Sequence, residues 1–143
     1  MADETNQLRV RLVTPERVLF EAPASAVELP AKNGYMEVLF GAAPLLAELG
    51  AGDVTLHGGP DGPQSVSRYN VSWGFVEVLP DRVTILASDA MKPEEINVDR
   101  AEEQLMRGQK MWNEAAESEE AYAEALHVIA EAEAKLAAAA EKN

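Results

Sequence analysis

The chain has 143 residues, 47% of them hydrophobic, which allows one modest core plus an appendage and argues against wholesale disorder. Its formal charge of −13 repels phosphate backbones and anionic lipid, so nucleic acid and direct membrane insertion are not expected. There is no cysteine, which removes disulfides, thiolate metal sites and a Cys nucleophile. No apolar run approaches the roughly 20 residues that span a bilayer. Met1-Ala2-Asp3-Glu4 is acidic and polar, unlike a secretory or transit peptide. These features together fit a bacterial cytosolic setting.

Leu8, Val10 and Leu12 alternate with Arg9, Arg11 and Val13, the period-two pattern of a half-buried strand. Thr14-Pro15-Glu16 reads as a turn and Val18–Ala22 as the returning strand. Further strands are predicted at Ala26–Leu29, Met36–Leu39, Leu45–Leu49, Asp53–His57, Ser65–Val71, Phe75–Leu79 and Arg82–Ala87. Lys32-Asn33-Gly34, Gly50-Ala51-Gly52, the run Gly58–Pro63 and Pro80-Asp81 are the turn signals between them. Nine or so short strands at this spacing predict a sandwich or flattened barrel. Phe75, Val76 and Val78 with Val83, Ile85 and Leu86 read as its deepest hairpin.

All eight prolines and eight of the nine glycines precede Glu94; only Gly108 lies beyond. The last 50 residues carry 13 Ala and 12 Glu, good helix formers both. The chain is therefore read as a β domain over residues 1–91 and a helical domain over 92–143. Asn97 suits a helix N-cap, with Asp99 in the first turn. Val98, Ala101, Leu105, Gly108 and Trp112 form one narrow apolar stripe. Asn113 to Ser118 breaks the run, with Ser118 as a second cap. Tyr122, Leu126, Ile129 and Leu136 share a face of the second helix, and Ala fills most other positions. Small side chains let two antiparallel helices approach closely, so a helical hairpin is expected.

Catalytic chemistry is hard to assemble from these residues. His57 and His127 lie in different domains, without ligand-spaced carboxylates around either, and read as surface or edge residues rather than a metal pair or general base. Gly58-Gly59-Pro60-Asp61-Gly62 has no following Lys and reads as a hairpin end, not a phosphate loop. Glu94-Glu95, Glu102-Glu103 and Glu119-Glu120 are adjacent, so each pair points two ways on a helix. Trp112 reads as a packing anchor. No catalytic residue, metal ligand or required cofactor is expected.

The order of segments resembles the epsilon subunit of bacterial F-type ATP synthases. The likeness is carried by Leu12–Glu21, Val27–Gly34, Val38–Leu46, Gly52–Leu56, Gly74–Val78 and Val83–Ala90, followed by a helical hairpin. The resemblance implies a sandwich of about ten strands followed by an antiparallel two-helix hairpin. It also implies a non-catalytic part of the central stalk, peripheral on the cytoplasmic face of the inner membrane. Its partners would be the gamma subunit and the c ring, with alpha and beta subunits reached through the hairpin.

Where the family usually reads Gly-Val-Leu-Pro-Gly-His before Ala-Pro-Leu, this chain has Glu37-Val38-Leu39-Phe40-Gly41-Ala42 before Ala43-Pro44-Leu45. The resemblance places this segment near gamma, so Glu37, Phe40, Gly41, Ala42 and Pro44 are candidate interface residues and Phe40 a candidate anchor. Glu37 would be strained if the glycine it replaces had positive φ. Some bacterial members bind ATP through Ile/Leu-Asp-x-x-Arg-Ala at the start of the first helix. Here Ile96, Arg100 and Ala101 match, Asn97 replaces the Asp, and Arg107 falls at the spacing of a further arginine. That implies a weak regulatory ATP site; the plainer reading has Asn97 as a cap and Arg100 paired with Glu103 or Glu95.

Strongly inhibiting family members present basic residues to an acidic loop of the beta subunits. From Ser118 onward this chain has six glutamates against Lys135 and Lys142, so weak electrostatic inhibition is expected. The alternative class is an acidic adaptor that presents a helical hairpin to an unrelated basic partner.

Overall fold

The computed structural model describes residues 7–59 and 61–141. Met1–Glu4, Pro60 within the expected 58–63 turn, and Lys142 lie outside the described residues. The chain divides into two compact units, Met1–Met91 and Lys92–Asn143.

The first unit is one seven-stranded sheet: β1 (Leu8–Val13), β2 (Val18–Ala24), β3 (Ala26–Ala31), β4 (Gly34–Leu39), β5 (Leu45–His57), β6 (Val66–Leu79) and β7 (Arg82–Met91). The order across the sheet is β2-β1-β7-β6-β5-β3-β4. β1 and β7 run parallel and the remaining neighbours antiparallel. The sheet folds over an apolar core that includes Leu8, Val10, Leu12, Val27, Leu29, Val54, Val71, Val76, Val83 and Ile85. Phe20 of β2 stacks on Tyr69 of β6 at 4.7 Å between ring centroids, although two strands separate them in the sheet. Such a contact requires two facing layers, as in a sandwich.

Seven strands stand where nine or ten are expected, because two pairs of predicted strands are continuous. Gly50-Ala51-Gly52 is a bend inside β5, and the segment around Trp73 is a bend inside β6. Pairing passes from Leu49↔Gly74↔Ala87 directly to Ala51↔Ser72↔Asp89, so each strand gains one residue at the same level. The consequence is a change of phase. Leu49 faces the core before the bend in β5 and Val54 and Leu56 after it; Val71 gives way to Val76 and Val78 in β6. In β7 the buried positions Val83, Ile85 and Ala87 give way to Ala90. An extra residue reverses which side chains point inward, which lets strands turn a corner of a sandwich. Trp73 takes φ 57° and Gly74 φ 135° at this level.

Alternation also corrects the expected deepest hairpin. Val76, Val78, Val83 and Ile85 are buried, whereas Phe75 and Leu86 point outward and are half exposed. Pro80-Asp81 does form the connecting turn.

The second unit begins with a short 3-10 turn, Pro93–Glu95, that packs against the second helix. Two helices follow, α1 (Val98–Glu114) and α2 (Glu119–Glu141). Asn97 Oδ1 accepts the Arg100 N–H at 3.1 Å and Ser118 Oγ accepts the Ala121 N–H at 3.2 Å, so both predicted caps are made. Asn113 and Glu114 remain helical, and the break falls at Ala115–Ser118, where Ala116 adopts φ 53°. The helices approach through small residues. Ala101 and Gly108 of α1, and Ala125, Ala132, Ala138 and Ala139 of α2, are the buried positions together with Lys135. The larger residues of the expected stripes lie to one side: Leu126 and Trp112 are each more than 40% exposed.

Candidate interaction surfaces

Glu37 lies in β4 opposite Glu28 of β3, in an extended strand without positive φ. The strain considered from sequence is absent at this position. Glu28 in turn binds His57 Nε2 through Oε1 at 2.8 Å, giving the histidine a structural partner.

Phe40, Gly41, Ala42 and Pro44 form the β4–β5 loop. Gly41, at φ 89°, donates its N–H to Pro80 O at 2.7 Å, and Ala42 donates to Leu39 O at 3.2 Å. The loop is thereby fastened to the β6–β7 turn. Ala42 turns inward onto the core while Phe40, 41% exposed, turns out beside exposed Leu39, Leu45 and Leu46. All five candidates therefore lie on one strand and the loop that follows it.

Sequence reading missed a second apolar feature on the same half of the sheet. Pairing sets Phe75 opposite Leu86, Leu86 opposite Val13, and Val13 opposite Val18. These four side chains form a row on the outward face across β6, β7, β1 and β2, with Phe75, Leu86 and Val18 each about half exposed. Beside it a groove of about 390 Å³ is lined by Val13, Thr14, Pro15, Phe75 and Leu86 among others. The signal was available: strict alternation through Phe75–Leu79 and Arg82–Ala87 assigns Phe75 and Leu86 to the face opposite Val76 and Ile85.

In the second unit Ile96 and Ala101 are buried and fix the start of α1. Asn97 spends its side-chain oxygen on the helix cap. Glu95 Oε1 accepts the Lys92 N–H at 2.9 Å, closing the short turn before α1. Arg100 and Arg107 are exposed and, among the described residues, neither enters an ion pair, so the expected pairing of Arg100 with Glu103 or Glu95 is not made. Seven residues of helix set them on one side of α1, about 10 Å apart along its axis. The basic side chain that α2 adds within the described residues is Lys135, 11% exposed and 3.5 Å from Glu131.

No group of three or more His, Cys, Asp or Glu among the described residues is arranged to hold a metal ion. No helix among the described residues is long and apolar enough to cross a membrane.

Residues 7–93 match the family described as ATP synthase delta/epsilon chain, β-sandwich domain. An ATP synthase epsilon chain of Solibacter usitatus is 40% identical over 135 residues, covering 94% of this chain and 97% of the relative. The epsilon chain of Koribacter versatilis is 43% identical over 101 residues, covering 69% of this chain and 67% of the relative. A chain from the Euglena gracilis mitochondrial ATP synthase OSCP/F1/c-ring structure shares the fold with TM-score 0.77 at 20% identity, over 96% of this chain and 84% of that one. A chain of the Tetrahymena thermophila central stalk/c-ring structure gives TM-score 0.53 at 16% identity, over 68% and 75%.

A β-sandwich of this topology followed by a two-helix hairpin thus defines a non-catalytic subunit of an ATP synthase, not an enzyme in its own right. The chain belongs to the ATP synthase delta/epsilon family, as an epsilon chain.

Proposed function

We propose that this chain couples the gamma subunit to the c ring in the central stalk of a bacterial F-type ATP synthase, on the cytoplasmic side of the membrane. The observation that carries the reading is the outward row Phe75–Leu86–Val13–Val18, joined on the same half of the sheet by Leu39, Phe40, Leu45 and Leu46. Apolar side chains gathered this way mark a protein contact. A continuous hydrogen-bonded sheet also suits a body that transmits torque without shearing. The Tetrahymena structure, described as a central stalk with its c ring, supports this assignment by fold. Replacing Leu86 by Glu should weaken association with gamma at least about tenfold, or about 1.4 kcal/mol, while far-UV circular dichroism stays unchanged. Undiminished binding by Leu86→Glu and Phe40→Ala together would overturn the reading.

The hairpin is the regulatory element in this reading, reaching alpha and beta subunits in an extended state. Its acidic α2, with Lys135 already close to Glu131, opposes an acidic loop instead of holding it. Deleting residues 94–143 should therefore barely raise ATP hydrolysis by the assembled enzyme; a several-fold rise would refute the claim.

Regulatory nucleotide binding follows as a weak ATP site at Ile96, Asn97, Arg100, Ala101 and Arg107. Arg100 and Arg107 supply two exposed charges for phosphate, and committed Asn97 together with α2 adds little more. Calorimetry with millimolar ATP should give a small saturable heat that Arg100→Ala removes. No heat at all would end this part of the proposal.

A further inference from the structure

The hairpin carries a groove that the close helix contact does not use. Leu105, Gln109, Trp112 and Asn113 of α1 and Leu126, Ile129 and Glu133 of α2 line about 470 Å³ of open space. On each helix the lining recurs at three- and four-residue steps, so the groove follows the helices for about two turns. Trp112 meets Tyr122 edge-on at 4.7 Å, an interplanar angle of 76°, which fixes the indole as a wall. Leu126 is 51% exposed in this groove. A two-turn apolar trough of this kind accepts the i, i+3, i+7 side chains of a helix.

Charge selects the helix. Glu133 lines the trough, and Glu102 and Glu119 stand exposed one turn before Leu105 and Tyr122. Lys110, exposed one turn before Asn113, sets one cation against these three carboxylates, while Arg107 lies on the far side of α1 from Leu105, since two residues of helix rotate the side chain by about 200°. Lys135 is nearly buried and close to Glu131. Residues 94–143 hold 13 acidic and 5 basic side chains. An acidic segment, an anionic bilayer or a second copy of this −13 chain would each meet repulsion there.

We propose that the Leu105–Trp112–Leu126–Ile129 groove is a docking site for a basic amphipathic helix of a partner protein. The inference goes beyond the central-stalk reading and does not require it, because the row on the sheet and the groove on the hairpin are tested by different variants.

The test uses the full chain and a fluorescent amphipathic peptide of Leu, Ala and Lys, about 18 residues or five turns long. A twin peptide carries Glu at every Lys position. Anisotropy should show saturable binding of the basic peptide and none of its twin. Leu126→Gln, at a half-exposed site that leaves helicity intact, should weaken binding about tenfold, the value of roughly one lost leucine contact. Glu133→Gln should weaken it a few-fold at low salt and less at high salt. Glu114→Gln, exposed on the side of α1 away from Leu105 because nine residues of helix rotate the side chain by about 180°, should change binding far less than Glu133→Gln. Equal binding of the acidic twin, or an effect of Glu114→Gln as large as that of Glu133→Gln, would overturn the proposal. Undiminished binding by Leu126→Gln, or self-association of the chain that Leu126→Gln abolishes, would overturn it as well.

Discussion

Gly108 sets the distance between the two helices, and replacing it with alanine puts two effects in opposition. A methyl group there would stand 2.7 Å from Ile129 Cγ1, 3.1 Å from Val128 Cγ1 and 3.2 Å from the Ile129 backbone nitrogen. Carbon contacts are comfortable at about 3.5–4.0 Å, so Ile129 must leave its rotamer or α2 must move away. Overpacking of this order costs about 1–3 kcal/mol. Alanine in place of glycine inside a helix returns about 1 kcal/mol. The net expectation is a loss of about 1 kcal/mol in Gly108→Ala. Combining it with Ile129→Ala removes the nearest clashing carbon, so in that background Gly108→Ala should be neutral or stabilising by about 0.5 kcal/mol. Urea unfolding followed by far-UV circular dichroism, which the helices dominate, measures all four corners of the cycle. If Gly108→Ala raises stability equally with and without Ile129, the close approach is not what holds a glycine at this position.

Three further substitutions probe other joints. In Gly74→Ala the new carbon would overlap the Leu86 carbonyl oxygen, at φ 135°; a loss above about 3 kcal/mol is expected, read as a collapse in soluble yield or a fall in Tm. Tyr35→Phe removes the hydroxyl that accepts the Asp53 N–H at 3.0 Å; stability should fall by about 1 kcal/mol and exchange of the Asp53 amide should quicken in NMR. Asn97→Ala removes the α1 cap and should cost about 1 kcal/mol, with faster amide exchange confined to the first turn of α1.

The division into strands and helices was legible because proline, glycine and alanine are distributed so unevenly, and both helix caps were legible from Asn97 and Ser118. The strand count was not. Gly50-Ala51-Gly52 carries the same local signal whether the chain reverses or merely bends, and only pairing with β6 distinguishes the two. The hairpin stripes misled for a related reason. Periodicity finds the largest apolar residues, yet Ala125, Ala132 and Gly108 carry the close helix contact, because nearness rewards small side chains over large ones. Of the interface candidates, the Phe40–Pro44 loop was found through a resemblance, while the Phe75–Leu86–Val13–Val18 row needed the parallel register of β1 on β7. No local pattern contains that register. The role of Tyr35 was equally hidden: β3 skips from Glu28↔Thr55 to Ala31↔Leu49 around Pro30, and a hydroxyl from β4 reaches across to Asp53.

The added residues at Gly50, Trp73 and Ser88 occupy neighbouring strands at one level. Their effect on side-chain direction is all or none. Deleting one of them alone would turn half of that strand inside out while its neighbours kept their facing, exchanging Val76 and Val78 for Phe75 and Glu77 in the β6 case. Chain length in this region is therefore a shared property of the strands. A viable shortening would have to remove a residue from each of them together, which makes this line across the sheet the least free part of the sequence to drift in length.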